Sequence, residues 1–290
     1  MIFSFFYLIT INLVSPSHLC DYDNVSKARF LTNPVYLQKM FNQVKNKSLK
    51  QKIDFWSRIF LGTPYEVDPL GEAGGQDPDP LFDPCRVDCE TYVEQVIALS
   101  LTSNYSQFLN KLNQMRYHGG IIDNNRRFYT ILLSWLPANL KLGYLKDTSH
   151  LITSKYGKIS RRVAPHYKWR YKYRHRMKQM GKFAPVGLAT AKYIPIGLIK
   201  ERFKKIKTPA IAFLVGSKQY KNPFLITHMG LVLTNREGQV IFRHASRTRG
   251  VNQVVERKFI NYVKAVDKYF NKKKKHRFVP GMLIYSIIQP

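Results

Sequence analysis

The sequence predicts an α+β protein, with helices in the N-terminal half and an antiparallel sheet in the C-terminal third. Two observations carry this expectation. Apolar residues recur at helical spacing before residue 60 and again after Asp88. From Ala210 onward the chain changes to short β-rich runs bounded by Gly, Pro or Asn.

Between residues 35 and 60 the helical pattern runs through Leu37, Met40, Phe41 and Val44, then Ile53, Phe55, Trp56, Ile59 and Phe60. Gly62-Thr63-Pro64 ends it. Residues 66–87 form a Pro/Asp/Gly-rich loop with four prolines between Pro69 and Pro84. A loop that long is often functional. The next helix starts at Asp88, a good N-cap residue, and its expected core face is Tyr92, Val93, Val96, Ile97 and Ser100. Residues 105–147 are mixed and partly helical. Residues 155–207 are basic, broken by Pro165, Pro185 and Pro195, and read as loops and short elements inserted over one face. Expected strands are Ala210–Val215, Leu225–Leu233, Val240–His244 and Met282–Ile288, with a hairpin turn at Asn235-Arg236-Glu237-Gly238 and a short helix over Phe259–Tyr269. There are no internal repeats.

A length of 290 residues with 44% hydrophobic content fits one large domain, residues 20–290, carrying a basic insertion at about 150–207. Residues 1–19 read as a secretory signal peptide: the first fourteen are largely apolar, Ser15-Pro16-Ser17 follows, and the apolar run is too short for a membrane span. Its start lacks Lys and Arg. Ser17-His18-Leu19-Cys20 is a poor lipoprotein signal, because the residues before the cysteine are not small. Export to the periplasm or the extracellular space is the expectation.

The net charge of +29 predicts attraction to polyanions such as nucleic acid, anionic lipid or phosphate-bearing envelope polymers. That charge is unevenly placed. Residues 62–94 hold nine acids against one base, Arg86, while residues 155–182 hold eleven Lys/Arg and no acid. Within the latter, Tyr167 to Arg176 interleaves aromatic and cationic side chains. Such a run can stack bases and neutralise phosphates, but it equally suits a solvated strand or adhesion to anionic envelope material. Export makes nucleic acid the less favoured partner. Lys272-Lys273-Lys274-Lys275-His276-Arg277 reads as a solvated loop or another polyanion contact.

The chemistry gathers in three segments in fixed order: Asp88-Cys89-Glu90-Thr91, Thr227-His228-Met229-Gly230, and Arg243-His244-Ala245-Ser246. Cys89 falls in the first turn of a helix, where unpaired N–H groups favour a thiolate and can hold an oxyanion. Asp88, Glu90 and Glu94 oppose a thiolate, so a paired histidine is needed. His228 suits a general base, and His244 suits a partner that fixes its tautomer. A three-residue turn at Asn235–Glu237 would set the two histidines directly opposite each other. An even-length turn without a bulge would separate them. Cys20, Cys85 and Cys89 are the three cysteines. A Cys85–Cys89 disulfide in an oxidising compartment is an open alternative that would disable the nucleophile. With no pair of CxxC motifs, a structural zinc site is not expected.

Gly62-Thr63-Pro64-Tyr65, Asp88-Cys89, His228-Met229-Gly230-Leu231-Val232 and His244-Ala245-Ser246 resemble the NlpC/P60 superfamily of papain-like cell-wall hydrolases. More closely, Asp88 to Glu94 running into Ala98-Leu99, Arg127-Phe128-Tyr129 with Trp135, and Gly143 to Asp147 resemble the N-acetylmuramoyl-L-alanine amidase-like family (DUF1460). The likeness covers roughly residues 35–290. It implies a papain-like fold, with the nucleophile helix packed on an antiparallel sheet. By position, Cys89 matches the nucleophile, His228 the catalytic histidine and His244 the third polar residue. Tyr65, beside the nucleophile, and Asp88 match substrate-side positions. Glu90-Thr91 replaces the Ser-Gly pair common in the superfamily, which favours the amidase-like branch over the usual endopeptidases. The implied reaction is hydrolysis of an amide in peptidoglycan or muropeptides, either between N-acetylmuramic acid and L-Ala or at a stem-peptide γ-D-glutamyl bond. No cofactor and no metal are expected. Two other classes stay open at this level: a non-catalytic polyanion-binding protein on the same scaffold, and another cysteine acyl-transfer enzyme.

Overall fold

The computed structural model describes residues 27–69, 81–163, 180–216, 225–272 and 279–290. The expected signal peptide and the Tyr167–Arg176 run lie outside the described residues. The chain is α+β, built on an eight-stranded sheet whose strand pairs are antiparallel. Its strands are β1 (Leu145–Asp147), β2 (Gly157–Val163), β3 (Gly187–Pro195), β4 (Ala210–Val215), β5 (Ile226–Thr234), β6 (Val240–Ser246), β7 (Gln253–Lys258) and β8 (Gly281–Ile287). The order across the sheet is β2-β3-β8-β4-β5-β6-β7, with β1 also paired to β8.

Helices cover both faces. On one face lie α1 (Pro34–Val44), α2 (Leu49–Ile59), α3 (Cys89–Ser100) and α4 (Tyr105–Arg116). There Phe41, Trp56, Val93, Ile97 and Leu112 share one core with Phe213, Met229 and Leu231 of the sheet. On the other face lie α6 (Ile196–Arg202) and α7 (Phe259–Lys272), where Ile199, Phe259 and Val263 pack on Val232, Phe242 and Ile284. The short α5 (Leu136–Lys141) follows one π-helical turn, Ile131–Trp135. A sheet covered on both sides has no wet face, so β4 and β8 read as near-continuous apolar runs rather than alternating ones. Among the described residues no helix is long and apolar enough to cross a membrane.

Local chemistry fixes the helix starts. Asn33 caps α1 by accepting from Val35 and Tyr36 N–H, and Pro34 occupies the first helical position. Ser48 and Gln51 form a capping box on α2. Two expectations need correction. The amphipathic reading of α3 gave it one core face, but Thr91 through Ser100 are all buried. The helix runs through the middle of the molecule, so Glu94 and Gln95 are inside and need partners. The basic stretch expected as loops contains β2 and β3, paired from Gly157↔Tyr193 to Val163↔Gly187. Lys158, Ser160 and Arg162 alternate outward on β2. β7 was also not expected.

Candidate active site

Asp88 positions Cys89. Its Oδ1 accepts the N–H of Glu90 at 2.9 Å and of Thr91 at 2.8 Å, and Thr91 Oγ1 accepts the Asp88 N–H at 2.9 Å. This closes a capping box. The cap consumes the N–H groups of residues 90 and 91 and leaves that of Cys89 beside its own thiol. The loop entering α3 is fixed separately. Asp83, buried, accepts from the N–H of Cys85 and Arg86 and pairs with Arg86 Nε at 2.6 Å. Thr63-Pro64-Tyr65-Glu66 forms a bridge between this loop and β7: Val87 N–H donates to Pro64 O, Glu66 N–H to Val87 O, and Val254 N–H to Thr63 O.

Cys89 is half-buried and free, whereas Cys85 is disulfide-bonded. The Cys85–Cys89 pairing considered from sequence is therefore not formed. Burial, and then the charges of Asp88 and Glu90, push the Cys89 thiol well above its ordinary range. The backbone N–H of Met229 and of Cys89 itself act in the opposite direction. The sulfur thus rests against the amide that follows His228 rather than in a hydrogen bond to the imidazole.

His228 and Cys89 line one cavity of about 260 Å³. His228 Nε2 lies 2.8 Å from His244 Nδ1, with the rings 4.9 Å apart and nearly perpendicular. Because Nε2 is engaged, Nδ1 is the nitrogen left for the cavity side. Burial lowers the His228 pKa to about 4, and burial together with the His228 and Arg257 charges lowers that of His244 to about 2. Both rings are neutral near pH 7.

The register explains how the histidines meet. Thr234 pairs with Val240, so the connection is the five residues Asn235–Gln239 rather than three. An odd count keeps His228 and His244 on one face, as parity requires. They are diagonal neighbours rather than directly opposite. Continuing the register from Leu231↔Arg243 puts Gly230 across from His244. A Cβ on Gly230 would lie 2.6 Å from the Phe242 ring and 2.7 Å from His244 Cβ. Gly230→Ala is therefore expected to displace His244 and Phe242. The cost is about 1–3 kcal/mol of stability and, if the ring pair is catalytic, about 10²-fold in turnover. Urea unfolding and steady-state kinetics on one preparation check both.

Tyr65 lies near the thiol. Burial, and then the charges of Cys89 and Asp88, raise its pKa, partly offset by Arg247. Asp88 lines the cavity with its Oδ1 committed to the cap. Sequence reasoning missed Tyr262 on α7. Its ring packs 4.4 Å from Phe242 and 5.2 Å from His244, and the Cys89 charge raises its pKa after burial does. In the sequence it reads as one more apolar position of a helix face. Arg116, deep in the same cavity, was also missed. Among the described residues no cluster of three or more His, Cys, Asp or Glu is placed to hold a metal.

A free thiol at a helix start and a hydrogen-bonded histidine pair on neighbouring strands, opening on one cavity, define an α+β scaffold of acyl-transfer type. The chain belongs to the AmiA-like, N-acetylmuramoyl-L-alanine amidase-like family, whose model matches residues 55–269. Among solved structures it is similar to a DUF1460 protein of Legionella pneumophila, at 21% identity and TM-score 0.72, covering 89% of this chain and 95% of that one. It is also similar to an N-acetylmuramoyl-L-alanine amidase of Bacteroides uniformis, at 19% identity and TM-score 0.61, covering 83% of this chain and 99% of that one. At these identities the likeness speaks for the fold. No curated protein matches the chain.

Proposed function

We propose that this chain is an exported, papain-like cysteine amidase of the NlpC/P60 type that cleaves the amide joining N-acetylmuramic acid to L-Ala in peptidoglycan or muropeptides. Residues 1–19 would be its signal peptide. Residues 20–290 would be one catalytic domain with a basic insertion at about 150–207. The observation that carries the reading is Cys89 and His228 on one cavity wall, with His228 Nε2 held 2.8 Å from His244. Membership of the amidase-like family supplies the bond class.

In this reading Cys89 Sγ attacks the carbonyl carbon of the muramic lactyl group while His228 Nδ1 takes the thiol proton. The oxyanion forms beside the N–H of Cys89, the donor that the Asp88 cap leaves over. Collapse breaks the C–N bond, and the His228 proton goes to the departing L-Ala amine. Water then attacks the thioester, with His228 again as base, and releases the lactyl carboxylate and the thiol. His244 accepts from His228 Nε2–H and so keeps Nδ1 basic. Tyr65 and Asp88 border the nucleophile on the substrate side. The basic exterior would hold the enzyme near anionic envelope polymers.

A thiol raised by burial and an imidazole lowered to about 4 do not form a resting ion pair. The proton moves as the S–C bond forms. Two results follow. Thiolate absorbance at 240 nm is absent at pH 7. On the acid side, His228 loses its base function only when protonated, so kcat/KM stays level from neutral pH down to about pH 5 and falls with a midpoint near 4. A resting thiolate at pH 7 would contradict this.

Mass spectrometry of a muropeptide digest tests the bond. Amidase action yields free N-acetylmuramic acid species and a peptide with an L-Ala amino terminus. A sugar that retains L-Ala-D-Glu would indicate γ-D-glutamyl endopeptidase action instead.

A further inference from the structure

The inner end of the cavity is built around Arg116, which is 3% exposed. Its Nε donates to Glu94 Oε2 at 2.6 Å, and Nη1 donates to the carbonyl of Leu81. Trp135 Nε1 donates to the other Glu94 oxygen at 2.7 Å. Nη2 is buried and has no hydrogen-bond partner. A buried, charged donor left unpaired costs about 1–3 kcal/mol or more, so an acceptor brought there gains substantially. Arg127 lines the same cavity.

The acidic side chains on the cavity do not cancel this. Glu94 is neutralised by Arg116 itself. Asp88 is committed to the helix cap, and Asp68 lies 3.8 Å from Arg127. Burial, and then Glu94 and Asp88, hold Glu90 toward its protonated form.

A ruler is present in α3. Glu94 follows Cys89 by five residues, which is about 7.5 Å along the axis at 1.5 Å per residue. Arg116 is clamped to Glu94, so its free donor sits about that far from the thiol. From a scissile carbonyl carbon, two amino-acid residues on the amine side reach about 7 Å. N-acetylmuramic acid offers no carboxylate beyond the one in the scissile amide, so an anionic group must come from the peptide.

We propose that Arg116, with Arg127 beside it, forms a subsite for a free carboxylate two residues beyond the scissile amide, the α-carboxylate of the second stem amino acid. This rests on the amidase reading. The subsite makes the enzyme selective for stems in which that carboxylate is free rather than amidated.

The test uses wild-type protein and two substrates, N-acetylmuramoyl-L-Ala-D-Glu and the same compound with the α-carboxylate as a carboxamide. The expected result is a kcat/KM about 10- to 100-fold higher for the free acid, the range of a charge-assisted buried hydrogen bond. Ratios within about threefold of one, with both substrates cleaved at the same bond, overturn the subsite and leave the amidase reading standing. Cleavage of neither overturns the amidase reading itself. Arg116→Lys keeps a cation opposite Glu94 but removes Nη2, and it should bring the ratio toward one. An unchanged ratio in a folded R116K protein overturns the assignment to Arg116.

Discussion

Cys89→Ser is expected to fold as the wild type does and to lose about 10⁴-fold or more in kcat/KM. The substitution is nearly isosteric, and Cys89 sits half-buried at the edge of the main core rather than inside it. Its N–H and the Asp88 cap are backbone and neighbour features that the change leaves in place. The loss arises because a serine hydroxyl is a far weaker acid than a thiol, already opposed here by burial, Asp88 and Glu90. His228, with its lowered basicity, cannot compensate. Thermal unfolding checks the fold, and release of free L-Ala amine from a muropeptide checks the activity. Wild-type turnover by Cys89→Ser or Cys89→Ala would remove Cys89 from the mechanism.

The second large effect is on stability. Arg243, fully buried on the opposite face of β6 from His244, ties α2 to the sheet. Its Nη2 lies 2.8 Å from Asp54 Oδ1, Nε donates to Glu256 Oε2 at 2.7 Å, and Nη1 donates to Ser57 Oγ at 2.6 Å. Arg243→Ala leaves two carboxylates facing a void. Because Asp54 and Glu256 remain 23% and 31% exposed, water screens part of the damage. The expected loss is about 3 kcal/mol, at the lower end for a broken buried pair. Urea unfolding measures it, and a loss below about 1 kcal/mol would mean the network is not structural.

How far the sequence reveals this molecule depends on where each signal is local. The cap at Asp88, the strand at Ala210–Val215 and the α7 helix were readable because capping, β-rich runs and helical spacing are short-range features. β2 was not, since its outward positions are filled by Lys158, Ser160 and Arg162 in a run that reads as charge rather than alternation. The burial of Glu94 was hidden for another reason. Its partners Arg116 and Trp135 are 22 and 41 residues away, and only tertiary packing brings them together. The site shows the same division. Cys89, His228 and His244 carry their chemistry in residue type and order. The diagonal meeting of the two rings depends on the five-residue connection and on Gly230. Tyr262 approaches from a helix on the far face of the sheet, with nothing in its own segment to mark it.

The central claim is that Cys89 forms a thioester with the muramic acyl group, and single-turnover rapid quench with a muropeptide tests it most directly. The account predicts that peptide amine is released in a burst equal to the enzyme concentration, with the muramic acyl group attached to the Cys89 peptide by mass spectrometry. Amine release with no burst, and no adduct on Cys89 at any quench time, would contradict it.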